Sequence, residues 1–367
     1  METGRHCEKI SDETSPRFPF RRINLFVMAT IVITGGAGFI GSAFIRLVLS
    51  EHPGVMVTNY DVLTYAGNLE NLADIDATRH TFIKGDICDR KAVLEAMPHG
   101  CDAVFNFAAE SHVDRSIQSA DEFLRTNIIG TQVLLDAARE RKVRRFIQIS
   151  TDEVMGSLPD ESDEFFTEAS VLQPNSPYAA SKAGAELVVR AACETFGVDA
   201  VITRCGNNYG PRQFPEKLVP LMIANAMNDE PLPVYGDGKN VRDWIYVDDH
   251  CRAIWLAYEK GRSGEAYNIG ARNERQNIEV VRSILDALGK PHSLISYVTD
   301  RLGHDRRYAI DPVKAETELG WKPQITWEEG LIKTIRWYRE NQNWVDHIRN
   351  GEYREYYRSM YGKHLGA

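Results

Sequence analysis

Two short runs carry residues able to do chemistry. Tyr178-Ala-Ala-Ser-Lys182 follows Pro177, a residue favoured in the first turn of a helix. A spacing of four puts the phenol and the ammonium on one helical face. A free tyrosine titrates near about 10, and a nearby cation favours its phenolate. Reaching neutrality takes roughly three units, about 4 kcal/mol, which a close lysine and a positively charged cofactor could supply together. The phenolate would take a proton from a hydroxyl as hydride leaves the same carbon. With fifteen tyrosines, one such pair arises easily by chance, and a plain amphipathic helix start is the alternative. The pair counts only behind a nucleotide-binding half. The second run is Ser150-Thr151-Asp152-Glu153. Adjacent carboxylates can divide labour when their environments split their pKa values, one staying protonated as an acid and the other ionised as a base. Elimination of water from a sugar needs that division. Spacing alone leaves an acidic surface turn or a helix N-cap equally open.

The elements that must position these runs are legible upstream. Ile31-Val-Ile-Thr-Gly35-Gly-Ala-Gly38-Phe-Ile-Gly41 reads as strand, tight turn and helix. Its glycines let the backbone approach a pyrophosphate, and the new helix offers its N-terminal amides to the charge. Val55 to Asp61 reads as the second strand, its acid twenty residues after Gly41. An acid there accepts hydrogen bonds from ribose hydroxyls and repels a 2′-phosphate, which favours NAD over NADP. Further strands are expected at 80–87, 103–109 and 145–150, with a helix over 121–141. Strand–helix alternation implies an α/β fold, a Rossmann-type doubly wound parallel sheet with helices on both faces. Ligands then lie beyond the carboxyl ends of the strands. The texture changes after Arg204 to loops rich in Pro and Gly. The expected division is a nucleotide-binding domain of 28–204 plus 241–262, and a smaller α/β substrate domain of 205–240 plus 263–367.

Net charge of −9 argues against non-specific nucleic-acid binding and requires a local Arg/Lys cluster for any anionic ligand. The six cysteines, at 7, 88, 101, 193, 205 and 251, form no CxxC pair, which suits a reducing cytoplasm. No metal is expected. Arg21-Arg22 and the apolar run 23–33 resemble an export segment, but that run is too short to span a bilayer, and its second half is the strand feeding the glycine turn. Residues 1–27 therefore read as an extension, Met28 as the start of the domain proper, and no membrane association is expected.

Taken together, these runs resemble the extended short-chain dehydrogenase/reductase family, in its nucleotide-sugar dehydratase branch. The matching stretches are the glycine turn, Asp61–Asn68, Ala108–Ile117, Ser150–Val154, Ser176–Lys182, Asn207–Pro211, Phe214–Leu218, Val241–Asp248 and Asp300–Asp311. They span about 31 to 330, and Thr151-Asp152-Glu153 is the specific part, since related epimerases and reductases lack the acid pair. The resemblance implies tightly held NAD and a nucleotide-sugar substrate, dTDP-glucose, with UDP-, CDP- or GDP-sugars or a catalytically silent NAD-binding protein as alternatives. It implies that Tyr178, supported by Lys182 and Thr151, removes the C4 hydroxyl proton, that Glu153 takes the C5 proton, and that Asp152 protonates the departing C6 hydroxyl. It assigns Gly35, Gly38, Phe39, Ile40, Gly41, Asp61, Leu63 and Thr64 to NAD. Asp86, Ile87, Ala108, Ala109, Thr126, Tyr178, Lys182 and Asn208 join them. It assigns Ser111, Thr151, Asn207, Lys217, Leu218, Pro233 and Tyr235 to the nucleotide sugar, with Arg242, Asn277 and the segment Asp300 to His304. Lys217 and Arg242 would supply the local cations. A homodimer is implied, with the helices near 121–141 and 178–196 as its contact. Two positions depart from the family pattern: Met155 stands where Tyr is usual, and Leu302 where Pro is usual.

Overall fold

The computed structural model describes Met1, residues 28–160 and residues 162–349. The expected extension, from residue 2 on, lies outside the described residues, as do 350–367 of the expected substrate domain. Twelve strands are described: β1 (Ala29–Thr34), β2 (Val55–Asp61), β3 (His80–Lys84), β4 (Ala103–Asn106), β5 (Arg145–Thr151), β6 (Ala200–Cys205), β7 (Asn207–Tyr209), β8 (Leu232–Tyr235), β9 (Val241–Tyr246), β10 (Ala266–Ile269), β11 (Glu274–Gln276) and β12 (Ile295–Val298).

Seven of them form one sheet in the order β10-β6-β5-β4-β1-β2-β3, every neighbouring pair parallel. The chain winds outward from β1 to β3, then returns to β4 and winds the other way. The reversal lies between β1 and β4, where such sheets open a crevice at their carboxyl edge. Alternation along β1 explains the two helical layers. Ile31 and Ile33 join a core with Phe44, Ile45 and Val48 of the Phe39–Glu51 helix and Ile254 of the Val247–Lys260 helix. Val32 points the other way, into a core with Leu134, Leu135, Ala138 and Val189. Those come from the Thr131–Arg141 and Pro177–Phe196 helices.

The stretch expected as a helix over 121–141 is continuous but not uniform. Asp121–Phe123 and Thr131–Arg141 are α-helical, and Leu124–Gly130 between them is a π-helix. Such bulges gather at functional sites because they turn one side chain out of register. Here the residue turned inward is Asn127.

Two segments fall on the other side of the expected domain boundary. β9 joins a three-stranded sheet, β11-β9-β7, rather than the large one. Its buried Arg242 and Asp243 need polar partners: Asp305 O accepts from Arg242 (2.8 Å), and in the loop before β11 Asn273 N–H donates to Asp243 Oδ1 (2.8 Å). β10, placed by sequence in the substrate domain, is the edge strand of the large sheet, burying Tyr267 and Ile269 with the Val247–Lys260 helix. A second core forms around β8, which pairs with β12, and the Leu218–Met227, Asn277–Leu288 and Trp327–Glu340 helices.

Candidate active site

Three of the four glycines in the turn have no room for a side chain, and the fourth does. Gly35 adopts φ +69°, and a Cβ there would lie 2.5 Å from Ala108 N. A Cβ on Gly41 would meet Gly35 O at 2.3 Å, so the turn and its helix can close only without side chains. Gly36 is excluded by packing instead, against Asn59 Oδ1 at 2.3 Å. Gly38 is different. Its Cβ would touch only Gly35 O, at 3.3 Å. It caps the Phe39–Glu51 helix, lines the cleft, and leaves open the space a phosphate would take over the first helical amides.

Asp61 ends β2, 7% exposed, and takes the N–H groups of Ala37 (2.9 Å) and Leu63 (2.8 Å). Burial raises its carboxyl, and these two bonds oppose the rise. The acid is thereby fixed against the glycine turn at the edge of the cleft, where an adenosine ribose would lie. Gly35, Gly38, Gly41 and Asp61 together fit a dinucleotide cofactor.

One cleft brings most of the expected residues together. Gly35, Gly38, Phe39, Ile40, Gly41, Asp61 and Thr64 line it, with Asp86, Ile87, Ala108, Ala109 and Thr126. Ser111, Thr151, Asp152, Glu153, Tyr178, Lys182, Asn207, Asn208 and Lys217 complete that set. Leu63 lies on the rim beside Thr64, outside the lining.

β5 delivers Thr151 to this cleft, and Asp152 and Glu153 follow in a single turn of 3₁₀-helix. Thr151 Oγ1 lies 3.2 Å from Asp152 Oδ1 and accepts the Glu153 N–H at 3.3 Å. Asp152 is 1% exposed, and its Oδ2 has no hydrogen-bond partner among the described residues. Burial first, then the charge of Glu153, pushes its carboxyl well above the ordinary range. Burial also raises Glu153, and Arg301, Lys217 and Arg242 oppose that rise without cancelling it. The neighbouring acids thus sit in different surroundings: one sealed beside a second carboxylate, the other facing three cations.

Tyr178 stands in the first turn of the Pro177–Phe196 helix, which Ser176 caps by accepting the Ala179 N–H (3.1 Å). The chain's own groups do not lower this phenol as expected. Burial, then Glu153, pushes it well above its ordinary value, while a hydrogen bond with Thr151 opposes. Lys182 gives its ammonium to Ile149 O rather than to the phenol, and burial lowers it to about 8. An oxidised nicotinamide bound in the cleft would add a positive charge that favours the phenolate.

The substrate side is built from further away. Lys217 Nζ donates to Ser111 O (2.8 Å), and Leu218 beside it opens the Leu218–Met227 helix. Arg242 does not reach out as a free cation. Its guanidinium donates to Val241 O (2.7 Å) and Asp305 O (2.8 Å) and lies 4.2 Å over the Tyr308 ring. Arg301 approaches Asp114 Oδ1 at 3.6 Å, and Tyr235 Oη donates to Asp114 Oδ2 (3.3 Å). His304 pairs with Asp300 (2.6 Å) and meets Tyr235 edge-on at 6.1 Å. Pro233 sits within β8 opposite Ser296, and Asn277 donates its N–H to Asn240 O (2.9 Å). Leu218, Pro233, Tyr235, Arg242, Asn277, Asp300 and His304 lie beyond the residues that line the cleft.

Three residues that the sequence reading passed over belong to the arrangement. Asn127 takes the Glu110 N–H (2.9 Å) and donates to Ser181 Oγ (2.8 Å), tying the π-helix to the Tyr178 helix. Glu110 lines the cleft, and Asp114 joins Tyr235 and Arg301 to the nucleotide half. Glu110 and Asp114 stood in the run Ala108–Ile117, and nothing local marked them apart from its other polar residues.

A family model described as GDP-mannose 4,6 dehydratase matches residues 32–334. The dTDP-glucose 4,6-dehydratase of Xanthomonas campestris pv. campestris (strain B100) is 52% identical over 347 residues, 89% of this chain and 98% of that protein. The chain belongs to the extended short-chain dehydrogenase/reductase family, in its nucleotide-sugar dehydratase branch. Within that family, the dTDP-glucose 4,6-dehydratase 1 of Escherichia coli (strain K12) is 48% identical, with 90% of this chain and 98% of that protein covered. The crystal structure of DesIV, a dTDP-glucose 4,6-dehydratase from Streptomyces venezuelae with NAD and TYD bound, superposes with a TM-score of 0.84. It is 50% identical and covers 87% of this chain and 99% of that one. The two departures from the family pattern have different settings. Leu302 is 77% exposed. Met155 is buried with Val154, Leu158 and Phe166 behind the acid pair, its Sδ 3.7 Å from Arg204 Nη1, and it does not line the cleft.

Proposed function

We infer that the chain is an NAD-dependent hydro-lyase that converts dTDP-glucose to dTDP-4-keto-6-deoxyglucose. Bound NAD supplies a reversible hydride acceptor, so that the hydrogen taken from C4 returns at C6 and the overall reaction is redox-neutral. Tyr178 takes the C4 hydroxyl proton, and Thr151 holds that hydroxyl. The resulting 4-ketone acidifies C5–H, and Glu153 removes that proton. Asp152 delivers a proton to the C6 hydroxyl, which leaves as water. Lys217, which lines the cleft, meets the pyrophosphate, and Lys217, Arg242 and Arg301 oppose the rise of Glu153 that burial causes. The observation that carries the reading is the acid pair in unlike surroundings: Asp152 sealed, its carboxyl pushed well above the ordinary range, and Glu153 raised by burial against the opposing charges of Arg301, Lys217 and Arg242, both in the cleft that holds Tyr178.

The test is incubation with dTDP-, UDP- and CDP-glucose without added cofactor, with products read by mass and NMR. Water loss from dTDP-glucose is expected, with fastest turnover there. No water loss from any of them overturns the enzymatic reading, and net release of NADH would mean a simple dehydrogenase.

Two copies are proposed to pair through the 121–141 and 177–196 helices. Leu124, Ile129 and Leu187 on these helices are 43%, 55% and 57% exposed, an apolar face of the kind that marks an interface. The helices already lie close, since a Cβ on Gly184 would meet Ile128 Cδ1 at 2.6 Å. Leu187→Glu is expected to halve the mass measured by light scattering with little change in the melting temperature. An unchanged mass would remove these helices from the interface. The cysteines at 88, 101, 193, 205 and 251 are all free, which supports a cytoplasmic setting. Among the described residues no helix is long and apolar enough to cross a membrane.

A further inference from the structure

The loop at 62–68 crosses from one rim of the cleft to the other. Its near end is tied to the glycine turn. Asp61 holds the N–H of Ala37 and of Leu63, and Asn68 N–H donates to Ala37 O (3.0 Å). Leu63 takes φ +58°, the left-handed region that costs a branched residue energy, so the loop leaves β2 in a conformation its surroundings must enforce. Thr64, Ala66 and Gly67 then line the cleft. Between them Tyr65 turns away and reaches the far rim.

Three contacts hold Tyr65 there. The Arg115 guanidinium lies 4.0 Å over its ring. Phe214 meets the ring edge-on at 5.6 Å and 76°. Its hydroxyl hydrogen-bonds the Glu110 carboxylate. Arg115 is in turn paired with Glu216, Nε to Oε2 3.2 Å. Phe214 and Glu216 belong to the segment that ends in Lys217, on the substrate side. Tyr65 therefore fastens the loop after β2 to the substrate-side segment, across the region between Asp61 and the acid pair where the dinucleotide site lies.

We propose that Tyr65 is a positioning residue that latches the 62–68 loop over the cofactor and keeps reduced nucleotide in the cleft between oxidation at C4 and reduction at C6. The proposal rests on the reaction inferred above. That reaction removes two electrons from the sugar at one step and returns them two steps later. Reduced nucleotide lost in between would strand a 4-keto-5,6-ene and leave the chain without its oxidant. A dehydrogenase that exchanges cofactor every turnover has no need of such a tie.

The test compares wild type, Tyr65→Phe and Tyr65→Ala, each checked for folding by its melting curve. Nucleotide retained per chain is counted after desalting in the absence of sugar. Free reduced nucleotide and unsaturated 4-keto sugar are then sought in a filtrate after dTDP-glucose is added. The two variants remove a hydrogen bond to a charged group and, in Ala, also a cation–π contact, so about tenfold faster nucleotide loss is expected from Tyr65→Ala and a smaller increase from Tyr65→Phe. Excess NAD should restore the wild-type kcat and expose a KM for NAD. Retention by Tyr65→Ala equal to wild type, with nothing released during turnover, overturns the latch. If Tyr65→Ala does not fold, Tyr65→Phe decides, and retention equal to wild type overturns it. A wild-type protein that retains nucleotide but dehydrates no sugar would sink the proposed reaction instead, because retention is counted without sugar.

Discussion

Glu153→Gln is expected to oxidise its substrate and stop. The amide cannot take the C5 proton, while Tyr178 stays in place and loses a charge that raised its phenol. General-base catalysis contributes about 10²–10⁴-fold, so kcat for product should fall by that range. The diagnostic result is reduced nucleotide that forms on the enzyme when dTDP-glucose is added and does not decay. Asp152→Asn should lose a similar factor for a different reason. Glu153 can still remove the C5 proton, so solvent deuterium should exchange into C5 while water elimination is slow. The pair thus separates by isotope content even if the rates match. Glu153→Gln without accumulated reduced nucleotide would take that residue out of the elimination step. The pH dependence follows from burial of Asp152. Its raised pKa keeps the proton needed by the departing hydroxyl. Activity should therefore fall as pH rises through that value, and Asp152→Asn should abolish this limb.

Tyr178→Phe should lose about 10²–10⁴-fold in kcat with no reduced nucleotide formed at all. The block comes one step earlier than in Glu153→Gln, which makes the two variants a test of the order of events. The ring that remains keeps its edge contact with Phe123, 6.4 Å between centroids. The helix start is held by the Ser176 cap and by the Tyr178 N–H donated to Ser116 Oγ (3.2 Å). Folding and nucleotide retention should therefore match wild type. Burial and the neighbouring carboxylates raise the phenol, so wild-type oxidation should speed up with rising pH. Normal oxidation by Tyr178→Phe, seen as stoichiometric reduced nucleotide, would assign the C4 proton to another group.

The parts of this protein that depend on near neighbours in the chain were legible before any coordinates. The doubly wound parallel sheet follows from strand–helix alternation. The glycine turn follows from a backbone requirement local to seven residues, and Asp61 from its place at the end of the next strand. NAD as cofactor followed from these two together. The acid pair was visible as a spacing, but spacing could not say whether Asp152 and Glu153 were surface or site. Burial decides that, and burial is a property of what β6, β9 and the 300–308 segment bring over the end of β5. The same limit applies to β9 and β10: only pairing partners assign one to the small sheet and the other to the edge of the large one. It explains Lys182, whose spacing from Tyr178 promised a charge for the phenol, whereas the rotamer allowed by the packed helix delivers it to Ile149 O. And it explains Asp114 and Tyr65, whose partners lie 121 and 50 residues away. Sequence determines conformations set within a turn or a strand. The electrostatic character of a carboxylate, a phenol or an ammonium depends on chain segments that reach it only when the whole fold has closed.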